Sequence, residues 1–378
     1  MIEKIFWFFL FLIFYCYCGY PFLLFVLGLF FDKRVKRGEI TPSVSLLIPA
    51  YNEEKIIQKK IENSLELEYP KKKLEIIIAS ESDDRTNEIA KLYEKKGVKL
   101  ITFPERKGKQ YTIYRTIPQC QGKIIVLTDA NGMFQKDALL KLARNFYDPR
   151  IGCVSGELKY INPKETSVGE GEGIYWQYEI FVKKLESRLQ SLLGANGSIF
   201  AFKKELYKPL SEYRGDDFEI PIRILQQGYG VVFEPEAVST EEVYPETKKD
   251  FKRKVVIVGW HFRGAFILLK ESFQKFQLFL IFQLVSHKIL RWLIGFFLIF
   301  VFLANIFLFP RFFYSILLFL QIIFYLLAIL GYFWDKKRKK LNKIINLAYY
   351  FCVVNLAALF GVINAILNKQ KPTWEKVR

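Results

Sequence analysis

Apolar and polar positions are segregated along this chain rather than mixed. Ile5 to Phe31 carries no charged residue, and Phe279–Phe309, Phe312–Trp334 and Ile344–Leu367 are further long apolar stretches. Each is long enough to cross a bilayer as a helix. Between them the pattern changes to short apolar runs separated by amphipathic segments. Val44–Pro49, Leu74–Ala79, Val98–Phe103 and Ile124–Leu127 read as buried strands. Residues 53–67, 87–96 and 137–146, and a segment after Lys109, read as the helices between them. Strands alternating with helices at this spacing predict an α/β domain with a doubly wound, mixed but mostly parallel sheet. Ile151–Tyr160, Ile199–Phe202 and Gly230–Phe233 are predicted to add strands. A helix is expected to run on from the Gly-rich start at Thr166 to Leu193, and another from Ile220 to Gln227.

Charge then sets the boundaries. Lys33, Arg34, Lys36 and Arg37 follow the first apolar stretch at once. Basic flanks mark the cytoplasmic side, so the chain is expected to enter the cytoplasm there with its N-terminus outside. No small-residue cleavage site follows, which argues against a signal peptide. The Gly19-Tyr20-Pro21 step is expected to kink this helix. Lys248–Lys270 alternates basic and apolar residues and includes Trp260, as an interfacial helix does. Four regions result: 1–37, a membrane helix with its basic flank; 38–247, a cytoplasmic α/β domain; 248–277, interfacial amphipathic helices; and 278–378, about three membrane segments and a basic tail. A fully spanning Ile344–Leu367 would put the basic tail outside, so a re-entrant or interfacial helix is the alternative. His287, Lys288 and Arg291 interrupt the second apolar segment near its start. Ionisable groups at that depth either carry function or snorkel to the interface.

Composition narrows the class. Aromatic content is 17%, with 37 Phe, which suits segments solvated by lipid. The net charge of +18 would suit nucleic acid, but many basic residues flank the apolar segments, where anionic headgroups are the better partner. The aromatics lie mostly in those segments too, whereas a nucleic-acid interface needs them among the basic residues, so no nucleic-acid partner is expected. Five Cys without paired spacing, two of them (Cys16 and Cys18) in an apolar segment, indicate neither a zinc site nor a disulfide framework. The two histidines, His261 and His287, are too few for a His-based metal site.

The candidate chemistry sits at strand ends, where open α/β sheets present ligand-binding groups. Ile124–Leu127 leads into Thr128-Asp129-Ala130-Asn131-Gly132, which is also an ordinary turn sequence. Asp129 is the candidate for a divalent cation carrying a diphosphate, since hard cations take oxygen ligands. Lys109, in the basic turn Arg106-Lys107-Gly108-Lys109, is placed to neutralise a phosphate. Asp217, beside Asp216, is the candidate general base. The same pair also suits the start of a helix, where acids are favoured.

These residues carry a resemblance. The chain, from about Ser43 to Gly264, resembles the membrane-bound family 2 glycosyltransferases of inverting type, the cellulose and poly-N-acetylglucosamine synthase-like group. Pro49-Ala50-Tyr51-Asn52-Glu53 resembles the opening nucleotide-binding motif, Thr128-Asp129-Ala130-Asn131 the metal motif, and Gly215-Asp216-Asp217-Phe218 the motif whose second acid is the base. Tyr175-Trp176-Gln177-Tyr178-Glu179, Gly194-Ala195-Asn196-Gly197 and Pro372-Thr373-Trp374 are also similar to stretches of this group. The resemblance implies a GT-A fold and a nucleotide-sugar donor, UDP-linked by expectation. It also implies Mg2+ or Mn2+ as cofactor, single-displacement inversion and a glycan or lipid-linked acceptor at the inner membrane.

By the same resemblance Pro49, Tyr51, Glu53, Glu81, Lys109 and Asp129 bind the donor. Asp129 and Asn131 hold the metal, Asp216 and Asp217 form the catalytic pair, and Arg253, Lys254 and Trp260 meet the acceptor or the interface. Three departures stand out. Asn131 occupies the place of a third acid. Ser80-Glu81-Ser82-Asp83-Asp84 is one residue shorter than the usual motif. The processive signature Gln-X-X-Arg-Trp is absent, with Val256 where its Arg would be. Single-sugar transfer is the leading expectation. A processive synthase and a non-catalytic membrane scaffold are the alternatives.

Overall fold

A computed structural model describes residues 1–161, 167–209, 215–242, 247–337 and 341–369. Side chains of residues 167–174 and 247 are also outside the description, as is the Pro372-Thr373-Trp374 stretch.

Four parallel strands form one half of an eight-stranded sheet: β1 (Val44–Ala50), β2 (Leu74–Ser80), β3 (Val98–Thr102) and β4 (Ile124–Leu127), in the order β3-β2-β1-β4. Their apolar runs are continuous because helices cover both faces. One face (Leu46, Ile48, Ile76, Ile78, Val126) packs on α2 (Ile57–Leu65) and on the helix Ala138–Ala143. The other (Leu47, Ile77, Ile125, Leu127) packs on the helices that begin at Lys109 and Asp216. With α1 as the N-terminal helix Ile2–Phe30, α3 is Thr86–Lys91, α4 Lys109–Thr116, α5 Ala138–Ala143, α6 Ser167–Arg188 and α7 Asp216–Leu225.

The second half of the sheet is mixed. β4 pairs antiparallel with β7 (Phe200–Lys203), β7 antiparallel with β6 (Ile151–Ile161), and β6 parallel with β8 (Gly230–Glu242). A short β5 (Met133–Phe134) closes the edge on β8. The expected late strand Gly230–Phe233 therefore runs on well past Phe233. Its continuation holds Glu234, fully buried, which accepts hydrogen bonds from Arg144 Nε and Asn145 Nδ2, each at 3.0 Å. A buried charge satisfied from a neighbouring helix lets a strand pass through a polar stretch. The expected helix from Ile220 instead begins at Asp216, so both acids sit in its first turn, where the helix dipole favours them.

Helices lie at both ends. α8 (Thr247–Gln274) is followed by α9 (Leu278–Trp292) and α10 (Ile294–Leu308), then α11 (Phe312–Lys336) and α12 (Lys343–Ile366). Among the described residues, three helices, α1, α11 and α12, are long and apolar enough to cross a membrane, and a fourth span arises if α9 and α10 count as one. The single segment expected over Phe279–Phe309 is in fact this pair, bent by 59°. In α1 the irregularity is a π-helical turn, Tyr15–Gly19, just before the Tyr20-Pro21 step. A π-turn is one recognised origin of helix distortion.

A third apolar cluster joins the sheet domain to the C-terminal helices. Leu193, Phe218 and Ile222 pack with Phe262, Ala265 and Leu268 of α8, Leu284 of α9 and Val362 of α12. α8 and α12 meet so closely at Gly361 that a methyl there would lie 2.8 Å from the Val255 carbonyl oxygen.

The register of β6 on β8 shifts after Gly156, where Ala237 folds back on it. A methyl group at Gly156 would stand 2.5 Å from the Ala237 carbonyl oxygen and 2.9 Å from Ile199 Cγ2. Gly156→Ala should therefore destabilise the sheet domain by about 1–3 kcal/mol, read as a lowered unfolding temperature of the detergent-solubilised protein.

Candidate active site

The strand ends bring the predicted acids together. Asp129 follows β4, and Asp216 and Asp217 open α7. A methyl group at Gly197, in the turn before β7, would lie 3.4 Å from Asp217 Oδ2 and 3.8 Å from Asp129 Oδ2. Two carboxylates from distant parts of the chain thus face one point, and a glycine keeps it open. At Gly215 there is no room for a Cβ at all, because the His261 ring and the Asp217 carboxylate fill that space.

Lys109 ties the acids together. Its Nζ lies 2.8 Å from Asp129 Oδ1 and 3.1 Å from Asp216 Oδ2. Burial disfavours the ammonium, but Asp129 and then Asp216 raise its affinity for the proton well above the ordinary lysine range. Gly108, at φ 98°, lets the chain turn into α4 just ahead of this lysine. The Lys107 and Gly108 N–H groups donate to Glu81 Oε2 at 3.0 and 2.8 Å, so Glu81, at the tip of β2, fixes the turn. Its other oxygen, Oε1, is buried with no hydrogen-bond partner among the described residues.

The two acids predicted to form the catalytic pair differ in character. Burial pushes the Asp216 carboxyl up to about 6, with Lys109 opposing and Asp217 and Asp129 reinforcing the rise. Burial would raise Asp217 too, but His261, then Lys109 and Lys183, hold it down at about 2. His261 Nε2 lies 3.7 Å from Asp217 Oδ1, and its ring stacks on Phe218 at 4.7 Å between centroids.

The remaining predicted residues spread around this centre. Near the end of β1, Pro49 pairs with Ala79 of β2, one residue before the strand stops at Ala50. Tyr51 follows it, with the Arg106 guanidinium 3.9 Å above its ring. The Glu53 N–H donates to Thr86 Oγ1 at 2.8 Å, tying that loop to α3. Asn131 Oδ1 is buried and unpartnered among the described residues. Arg253, Lys254 and Trp260 all lie on α8. Lys254 pairs with Asp250 one turn away and lies 5.6 Å from the Tyr350 ring of α12. His261, on the same helix, meets a carboxylate of the site, and sequence reasoning left it unassigned.

No group of three or more His, Cys, Asp or Glu suited to a metal ion occurs among the described residues. Mg2+ is ordinarily held by one or two carboxylates plus substrate phosphates. Asp129 and Asn131 Oδ1 supply hard oxygen ligands of this kind, so the residues present fit such an ion.

Sequence reasoning also missed Lys60. On α2 it is fully buried beneath the Asp129 loop, donating to Thr128 Oγ1 at 3.0 Å and to the Gly132 carbonyl, over the Phe134 ring at 4.3 Å. Burial depresses it to about 7, against the pull of Asp129 and Glu241. In the unfolded chain this lysine stays protonated to a higher pH than in the folded one. The unfolded state therefore binds more protons between about pH 7 and 10, and stability rises with pH there. The unfolding temperature of the wild type minus that of Lys60→Met should climb across this window, by the equivalent of a few kcal/mol. A flat difference would contradict the buried, depressed ammonium.

The chain is similar to known proteins. Residues 45–210 match the family described as Glycosyl transferase family 2. The probable glycosyltransferase YdaM of Bacillus subtilis is 27% identical over 89% of this chain and 86% of its own length. A poly-beta-1,6-N-acetyl-D-glucosamine synthase of Staphylococcus epidermidis is 27% identical over 88% of this chain and 86% of its own. Among solved structures, the mannosyltransferase PcManGT from Pyrobaculum calidifontis, in complex with GDP-Man and Mn2+, matches with a TM-score of 0.73 and 18% identity. That match covers 98% of this chain and 100% of the other, and at such identity the likeness is one of fold.

Proposed function

We propose that this chain, which carries a glycosyl transferase family 2 domain over residues 45–210 on a GT-A fold, moves a sugar from a nucleoside-diphosphate donor to a lipid-linked or membrane-proximal glycan. The observation that carries the reading is the convergence of Asp129 and Asp217 on Gly197, with Lys109 alongside. One acid is then placed for the donor's diphosphate and the other for the acceptor's hydroxyl. The GDP-Man and Mn2+ of the archaeal mannosyltransferase support a donor and a metal of this class.

The base of the donor is read by the far end of the site. Tyr51, backed by Arg106, offers an aromatic face, and the unpartnered Glu81 Oε1 accepts a ring N–H. A UDP-linked donor remains the expectation. Asp129 and Asn131 hold Mg2+ or Mn2+, which when bound supplies Lewis-acid stabilisation of the leaving diphosphate. Lys109 adds a fixed positive charge where the leaving group develops negative charge. Asp217, held ionised at neutral pH, accepts the acceptor's proton as its oxygen attacks the anomeric carbon from the face opposite the diphosphate. The C–O bond to the diphosphate breaks as the new one forms, so configuration inverts. Asp216, ion-paired to Lys109, holds that lysine between the two acids rather than taking the proton.

The four regions 1–37, 38–247, 248–277 and 278–378 remain the working division, with the catalytic domain on the cytoplasmic side of the cell membrane. The apolar helices at both ends and the packing of α7 on α8 and α9 support a site at the bilayer surface.

Two variants test the roles. Asp129→Ala and Asp217→Asn should each lower nucleotide-sugar turnover at least ~10²-fold, the low end of what a positioned acid or base contributes. Only the first should also weaken binding of UDP with Mn2+, as measured by calorimetry. Chelation with EDTA should abolish turnover of the wild type, and added Mn2+ should restore it. Normal turnover in either variant would refute the assignment.

A further inference from the structure

Two cations beside Asp217 have no part in the transfer as described. Lys183 lies on α6 and Lys288 on α9. A methyl group at Gly194 would stand 3.9 Å from Lys288 Nζ and 3.7 Å from the Asp217 main-chain oxygen, so this lysine reaches the start of α7 from the membrane side. The Lys183 ammonium lies 5.2 Å from the Trp176 ring and 5.9 Å from that of Phe233. Burial depresses it, Glu179 and Asp217 oppose that, and Lys288 adds to it as a second nearby cation.

The acids of this region are already engaged. Glu179 pairs with Arg291. Glu186 lies 2.7 Å from His287 Nδ1 and accepts from the Tyr20 hydroxyl at 2.6 Å and the Leu193 N–H at 3.2 Å. Among the described residues, neither Lys183 nor Lys288 has an ion-pair or hydrogen-bond partner, although both are half-buried. Half-buried like charges without a counter-ion are costly unless a ligand neutralises them. Lys109 is engaged with Asp129 and Asp216 from α4, whereas Lys288 comes from α9, which continues into the apolar α10.

We infer that Lys183 and Lys288 hold the phosphate of a lipid-borne acceptor, presenting to Asp217 a hydroxyl of the sugar or glycerol esterified to that phosphate. The inference rests on the transfer reaction proposed above and names its acceptor class: a phosphorylated lipid, isoprenyl or glycerol-based, rather than a neutral one. Arg291 and His287, locked to Glu179 and Glu186, form the rigid wall behind the two lysines.

Equilibrium binding to the full-length protein in detergent tests this. The probes are farnesyl phosphate and dihexanoyl phosphatidylglycerol, each set against its uncharged partner, farnesol or dihexanoylglycerol. Each phosphorylated probe should bind at least ~10-fold more tightly than its partner, and the tighter of the two names the tail chemistry. Lys183→Met and Lys288→Met should each remove about tenfold of that affinity, while Lys288→Arg retains it. Lys72→Met, in an exposed basic run, controls for the general pull of a cationic chain on anions and should change nothing. Binding of UDP or GDP with Mn2+ should match the wild type in all four variants, which also reports that they fold. Equal affinity for the neutral lipids, or undiminished phosphate binding in the two Met variants, overturns the inference. A parallel loss of nucleotide binding in those variants overturns it as well, by moving the lysines to the donor. Failure of the wild type itself to bind either nucleotide with Mn2+ refutes the transfer reaction instead.

Discussion

The ammonium of Lys109 is the contact on which the geometry of the site depends. Asp129 and Asp216 arrive from a strand end and a helix start that are far apart in sequence, and like charges brought this close repel. Lys109 contacts both. Its position is set in turn by the left-handed Gly108 and by Glu81, which grips the main chain of that turn from the tip of β2. Strand, glutamate, glycine, lysine and acid pair thus form one chain of constraint. Each member has a local reason to be where it is.

A second constraint comes from the membrane side. Phe218 and Ile222, close behind the catalytic pair, share an apolar cluster with α8, α9 and α12. Burial of this area couples the position of α7 to the helices that meet the bilayer. His261, the neighbour that most lowers the affinity of Asp217 for its proton, belongs to α8 rather than to the sheet domain. The charge state of Asp217 is therefore set partly by a helix outside the region that matches the family.

Much of this was legible beforehand, for identifiable reasons. The parallel half of the sheet is written as four uninterrupted apolar runs with polar tips, and β1 to β4 follow those runs within a residue or two. The antiparallel half was less readable. β8 continues through Glu234 and Glu236, which look like a loop until Arg144 is brought against them by tertiary packing. Helix periodicity places α8 but does not say which of Arg253, Lys254, Trp260 or His261 turns toward the acids, because that depends on how α8 crosses α7 and α12. Lys60 beside Lys59 reads as part of a solvated face if only its charge is considered. A lysine on an otherwise inward-facing helical stripe, with Ile57, Ile61 and Ser64, was the signal available.

The place of His261 has a further consequence. A soluble piece ending before Thr247 would keep all eight strands and every carboxylate of the centre. It would lose the histidine beside Asp217 and the Lys288 that faces it from below. Such a fragment would be a complete container with an altered interior. The boundary of the sheet and the boundary of the acid centre therefore differ in this chain.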